Sequence, residues 1–510
     1  MMIFYCLSCN KFKMENIEEV NRPPHIFPDY NGVTIPFNIA PLNFKIEEEN
    51  SSFYLEITAA SGSTQITLKS SNRMIQFPLK TWKKLTEATR GETILIQIYA
   101  VKKNHPKTLK YQPIIIHVAN QEIDPWLVYR LIHPGYYSWS KINITQRSLE
   151  NFDEESIIEN QLIEKNCINC HSFHNGNPDK FLFHMRGSRG GTYFVDGGDI
   201  SRKDIKAEGM PGGATYPSWH PDGKYVVFSS NQVRQNFYAH PGKSIEVYDL
   251  ISSLYLYNTE NAVITAITDT DSVIPLQTFP SWSPDGKYLY YCDANTGDKE
   301  FRVDISRIKD VHYNLKRRTF DPTSGTFGEP ELIFNASELN KSVSFPRISP
   351  DGKFLVLTLA DYGTFPIWHT EADLHLLNLE DGTHQKMNLN SEETESYHTW
   401  SSNGSWLVFS SKRLDSRSTR PFIAYIDQNG NASKPFVLPQ KDPVHYEKML
   451  ESFNIPELVH GKVKVRPRIV ESASRQESLV TKQNASGVSP QWYKKEPTRK
   501  QTETEKGIHE

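Results

Sequence analysis

The chain has 510 residues, too many for one compact core, so two or more domains are expected. Its 57 Lys and Arg against 60 Asp and Glu leave a net charge of −3, which argues against nucleic acid as a partner. No apolar run reaches the roughly 18 residues that a membrane-crossing helix needs, while 12% aromatics, 31 Pro and 27 Gly suit short strands joined by many turns.

Residues 1–21 read as a signal remnant or a flexible terminus. Met1 to Cys9 (MMIFYCLSC) holds a short apolar stretch ending in Leu7-Ser8-Cys9 and followed by polar residues, like the tail of a bacterial lipoprotein signal with Cys9 carrying lipid. The apolar part is short and no basic region precedes it. Residues 22–121 alternate apolar and polar positions, as at Phe53, Leu55 and Ile57, at Ile94, Ile96 and Ile98, and at Ile114, Ile116 and Val118. That period of two predicts half-buried strands, and the turn residues between them suggest an immunoglobulin-like sandwich serving as a spacer or interaction module.

Residues 122–456 are expected to form a β-propeller. Its first strands fall within Trp126 to Trp139, and an insert at about 146–180 follows. In this insert 149–166 carries early acidic residues and apolar Phe152, Ile158 and Leu162, predicting a short helix that leads into Cys167. Residues 167–171 read Cys-Ile-Asn-Cys-His, and C-x-x-C-H is the attachment sequence of c-type haem. Two intervening residues let both sulfurs reach one edge of the porphyrin while the adjacent imidazole meets the iron. Cys is scarce here, five in the chain, and two of them stand at this spacing with His after them.

On this reading Cys167 and Cys170 hold the haem, His171 is the proximal ligand, and Met185 (alternatively Met210) is the sixth, with His174 and His184 behind them. A hairpin-like return around Asn175 to Pro178 would bring Met185 across. Arg186 and Arg189 are candidate propionate contacts. Two rival readings stay open: zinc held by Cys167, Cys170, His171 and His174 or His184, and a structural or catalytic C-x-x-C disulfide. Cys292 reads as a small core residue.

The propeller expectation rests on repeats. Tyr216-Pro-Ser-Trp-His-Pro-Asp-Gly223 is echoed by Phe279-Pro-Ser-Trp-Ser-Pro-Asp-Gly286, by Phe345-Pro-Arg-Ile-Ser-Pro-Asp-Gly352, and more loosely by Tyr397-His-Thr-Trp-Ser-Ser-Asn-Gly404, each leading into an apolar strand. Pro-Asp-Gly is a tight turn: Pro presets φ, Asp bonds its own backbone and Gly accepts φ > 0. The copies stand roughly 50–65 residues apart, room for a four-stranded blade with insertions. Phe181 to Val195 suggests a fifth unit and Trp126 to Trp139 a sixth. Closing such a ring requires a strand from the other end of the chain, expected near 420–440. The tail 457–510 is rich in Lys, Glu, Gln, Ser and Thr and reads as disordered.

These units resemble the WD40-like repeats of TolB-type propellers, over about residues 180–440. The sandwich, the C-x-x-C-H motif followed by Ser-Phe, then Phe-His-Met-Arg-Gly and the repeats together resemble exported Bacteroidetes propellers with a cytochrome-like motif. That resemblance implies one covalent haem c and a periplasmic or cell-envelope location. The expected function is electron transfer or redox sensing, with the propeller as docking surface for a redox partner or an envelope protein. The alternative is a non-enzymatic interaction scaffold with a structural Cys pair and no cofactor. No Gly-x-Ser-x-Gly elbow or recognisable triad points to a hydrolase.

Overall fold

The computed structural model describes residues 16–49, 52–62, 65–101, 107–134, 141–206, 209–240, 243–267, 275–295 and 305–483. Cys9 lies outside them, as do most of residues 1–21 and the end of the Trp126–Trp139 stretch.

The chain divides into two units: Met1–Glu122 with Lys434–Met449, and Ile123–Ser433 with Leu450–Glu510. In the first, the alternating segments Ser52–Ala59, Thr93–Val101 and Ile114–Ala119 are neighbours in one large sheet, and Ile26–Phe27, Phe44–Ile46 and Met74–Ile75 form a small one. The segment read as strands throughout also holds a helix, Leu79–Ala88, which buries Trp82 and Leu85 and anchors the indole Nε1 on the Ile39 carbonyl at 3.0 Å. Residues 434–449, expected in the propeller, belong here: the Asn43 amide donates to the carbonyls of Gln440 and Lys441, and Gln76 Nε2 donates to Lys441.

The second unit is a β-propeller of antiparallel sheets. Its inner strands, each followed by its own hairpin partners, are Cys167–Phe173, Ala214–Trp219, Pro275–Trp282, Ser342–Ile348 and Glu395–Trp400, together with Ser452–Val459. The last of these pairs with Trp126–Ile132, so the first sheet begins near the start of the unit and is completed from its end. The borrowed strand is thus 452–459 and not 420–440, because Arg420–Tyr425 already pairs with Trp406–Ser411 within its own sheet.

Two further expectations are corrected. Residues 146–180 are not a helical insert: Glu154–Glu159 is a strand, only the short 3-10 turns Asn160–Leu162 and His174–Gly176 are helical, and Cys167–Phe173 is an inner strand. The isoleucines 157 and 158 explain this, since both are fully buried in the sheet core, where a β-branched pair fits better than in a helix. The tail is ordered well past 457, with a helix at Pro467–Ser474 that buries Val470 and Ala473.

One local feature recurs in every inner strand. The pairing skips two residues, and the first of them has a left-handed backbone: Cys170 (φ 52°), Tyr216 (45°), Phe279 (51°), Phe345 (52°), Tyr397 (46°) and Ile455 (52°). A bulge of this kind turns side chains that would otherwise face along the sheet. Here the rings pack in a tilted row: Tyr216 to Phe279 at 4.5 Å between centroids, Phe279 to Phe345 at 4.2 Å and Phe345 to Tyr397 at 4.4 Å.

The rest of the repeat binds one sheet to the next. Trp219, Trp282 and Trp400 donate their indole N–H to the carbonyls of Ser172, Ser218 and Arg347 on the preceding inner strands, at 3.2, 3.2 and 3.1 Å. The turns behave as their sequence requires. Asp285 Oδ1 accepts from Ser283 Oγ (2.6 Å) and from the Lys287 amide, with Gly286 at φ 72°. Successive turns touch, since His174 Nε2 meets the Pro221 carbonyl at 2.9 Å and His220 Nε2 the Gly286 carbonyl at 3.1 Å.

Replacing Trp282 by Phe keeps the ring and removes the inter-sheet hydrogen bond. Urea denaturation should show a loss of about 1 kcal/mol, against about 3–5 kcal/mol for Trp282→Ala. No loss in Trp282→Phe would mean that the indole N–H contributes nothing.

Candidate functional site

The inner strands surround a cavity of about 520 Å³ on the side of the repeat turns. Its floor is the row of left-handed residues. Aromatic rings cover most of that floor, but between Tyr397 and Tyr216 the positions are filled by Ile455 and Cys170, so the plug is thinnest there.

Cys170 and His171 are therefore a copy of the repeat. Cys170-His171-Ser172-Phe173-His174 matches Tyr216-Pro-Ser-Trp-His220 residue for residue, and Ile455-Pro-Glu-Leu458 is a further copy. The second bulge position is Pro217, Pro280, Pro346 and Pro456 in four strands, and His171 and His398 in the other two. Proline suits the site because an unpaired bulge residue has no use for an N–H.

His171 is nearly inaccessible, and neither ring nitrogen is hydrogen-bonded. Burial pushes its pKa down to about 3, with the Arg130 charge adding to this and the nearby Ile455 carbonyl opposing it weakly. Its nearest carboxyl is Glu457 Oε2, 3.9 Å from Nε2. Glu457 also accepts the Phe173 amide at 2.8 Å, but desolvation dominates and raises its pKa to about 8. His398 differs in having a partner: its Nε2 meets the Val356 carbonyl at 2.8 Å.

Cys167 and Cys170 are both free thiols, not a disulfide. Cys167 is half-buried two residues before Asn169, whose Nδ2 donates to its sulfur at 3.1 Å, and Arg130 holds the Asn169 side-chain oxygen. Burial raises the Cys167 pKa against the pull of Arg186 and Arg130, which favours the thiol.

The proposed axial methionines lie elsewhere. The hairpin return through Asn177–Lys180 is present, but it brings Met185 back in register with Ile168 inside the same sheet, where both are sealed in a core with Phe183 and Tyr193. Met210 belongs to another core, with Leu182, Phe194 and Trp219. Neither lines the cavity that His171 lines. Arg189 is also turned away, paired with Glu164 at 2.8 Å in an outer turn, whereas Arg186 is the register partner of Cys167. The zinc set is not gathered: His174 is committed to the Pro221 carbonyl, His184 Nδ1 sits 3.3 Å from Thr192 Oγ1, and among the described residues no three potential ligands cluster. Cys292 is a fully buried core residue.

Glu457 and Arg347 escaped the sequence reading. The signal was available in Ile455-Pro-Glu-Leu, whose Pro and spacing copy the repeat, and in Arg347, which stands where three other copies have Ser.

In the protein with no group on His171, the two shifts contribute to the pH dependence of stability. Glu457 binds its proton more tightly in the fold than in the unfolded chain (about 8 against 4.5), so its contribution is intact below pH 4.5 and lost as pH rises toward 8. His171 (about 3 against 6.5) is intact above pH 6.5 and lost as pH falls toward 3. Thermal melts of Glu457→Gln should show a shallower alkaline decline than the parent between these limits, where Asp249 also contributes, while keeping the acid one; an unchanged alkaline limb would show that Glu457 is ionised in the fold.

No protein-family model matches the chain, and no curated protein does. Solved structures with some likeness include the nidogen/laminin complex (11% identity, 64% of this chain and 96% of that chain, TM-score 0.37) and oligogalacturonate lyase in complex with manganese (13%, 61% and 72%, 0.36). The Dos1 propeller is another (14%, 54% and 63%, 0.34). These likenesses say nothing of ligand or activity, and the propeller arrangement of the chain is carried by the strand pairing described above.

Proposed function

We propose that the chain is an exported propeller that carries one covalent haem c, with His171 as iron ligand and Cys167 and Cys170 as thioether donors, and that it acts in electron transfer or redox sensing. The observation that carries this reading is His171. A buried imidazole with no hydrogen-bond partner costs on the order of 1–3 kcal/mol, and it occupies a position where proline serves four sister strands. Beside it, Cys170 replaces a large ring and thins the floor of the cavity. The donor types suit an iron porphyrin: an imidazole whose protonation burial opposes, and two free thiols on the same strand, Cys170 on the cavity beside His171 and Cys167 packed against the core of its own sheet.

Haem, when bound, supplies a one-electron couple. The chain's own part is to present His171, to seat the group over the aromatic floor of the cavity, and to offer the rim of the turns to a partner. The inner strands named above support six blades; the TolB type and an immunoglobulin-like module before them belong to the same proposal. Since bacteria attach haem to such motifs outside the cytoplasm, the same reading places the protein in the periplasm or cell envelope, with Cys9 as a lipid anchor. The register of Cys170 and His171 with the repeat favours a second reading, a cofactor-free interaction scaffold, because it accounts for their place in the fold without haem.

Expression with a c-type maturation system decides between them. The haem reading expects one haem retained by mass after denaturation, a labile or absent one in Cys167→Ala and Cys170→Ala, and unchanged far-ultraviolet circular dichroism. A wild-type chain free of haem mass under those conditions overturns the haem reading.

A further inference from the structure

Two residues beyond each left-handed position, the inner strands set a belt of polar side chains on the cavity wall: Ser172, Ser218, Ser281, Arg347, Thr399 and Glu457. Among the described residues the four hydroxyls have no protein hydrogen bond, and Arg347 has one, from Nη1 to the carbonyl of Pro346 at 3.1 Å. The remainder of its fork has no protein acceptor.

Among the described residues no carboxylate forms an ion pair with this guanidinium. Glu457 acts on it through space but not by contact. Asp124, the other acid on the wall, is taken up by the Ser402 amide and hydroxyl at 2.8 and 2.6 Å. A cation removed from water needs an anion and geometric pairing to be tolerated, and the planar guanidinium fork matches a carboxylate through two parallel hydrogen bonds. Ser281 and Thr399, on the strands either side of Arg347, offer hydroxyls to the same ligand.

We propose that the axial cavity binds a carboxylate held by Arg347, with Ser281 and Thr399 beside it. Two sources present this chemistry: a diffusible organic acid, or a propionate of a haem carried on His171. The site itself rests on the cavity and not on the haem reading, and it replaces Arg186 and Arg189 as the anion contact.

Calorimetric titration with succinate, and with uncharged succinamide as control, tests the first source on the full chain carrying Cys167→Ala and Cys170→Ala, which cannot attach haem. Succinate should bind and succinamide should not. Arg347→Gln should weaken binding about tenfold or more, Arg347→Lys less, and Arg189→Gln not at all, with melting curves confirming that each variant is folded. The second source is read on haem-loaded protein, where Arg347→Gln should alter the pH dependence of the midpoint potential. Either response supports the site and identifies its source. Succinate binding that Arg347→Gln leaves unchanged overturns it, as does a haem-free chain that ignores succinate together with a loaded chain whose potential ignores Arg347. Absence of haem mass defeats the haem reading alone, and the succinate titration then decides the site.

Discussion

The left-handed bulge of the inner strands is the constraint on which the second unit depends. A non-glycine residue with φ near +50° costs on the order of 1–3 kcal/mol, and the cost is incurred at Cys170, Tyr216, Phe279, Phe345, Tyr397 and Ile455. Four of these turn an aromatic ring onto a neighbour, and ring pairs of this kind contribute about 0.5–1.5 kcal/mol beyond their buried area. The bulge also frees two backbone positions from the ladder, which is why proline is accepted next, and it aims the following polar residue at the cavity. Floor, wall and belt all descend from one backbone conformation.

Against that regular frame the exceptions acquire meaning. Cys170 bears the same strain as its sister residues but has no ring to return it in packing, and His171 gives up proline's rigidity for a buried imidazole with no partner. Arg347 breaks a run of hydroxyls, and Glu457 breaks it again with an acid that burial keeps protonated. All four line one cavity, contributed by three different inner strands. Strain and unsatisfied polarity that the fold does not need are the physical signs of a site built for something that binds.

Much of this was visible in the amino-acid order. Asp222-Gly223, Asp285-Gly286, Asp351-Gly352 and Asn403-Gly404 announce their turns because the requirement for φ > 0 and for a short acceptor leaves few other residues eligible. The alternating strands of the first unit were equally plain. What the order concealed was equivalence: Cys-His-Ser-Phe shares no residue but Ser with Tyr-Pro-Ser-Trp, so the best-known meaning of C-x-x-C-H masked its membership in the repeat. The stretch 149–166 misled for a related reason, since its apolar spacing suits a helix while Ile157 and Ile158 are claimed by the sheet. Met185 was placed correctly in a returning hairpin, but a hairpin return pairs strands side by side, and that seals the thioether beside Ile168.

The strand Ser452–Val459 completes the sheet begun by Trp126–Ile132, some 320 residues earlier in the chain. During synthesis, then, the first sheet of the propeller must wait with an open edge while every other inner strand emerges from the ribosome. Until residue 459 is available, the backbone of Trp126–Ile132 is a template for any passing strand, including that of another nascent copy. Chaperone dependence of this protein would therefore fall chiefly within the interval between translation of the first sheet and translation of its last strand, and it would lengthen with any insertion placed between them.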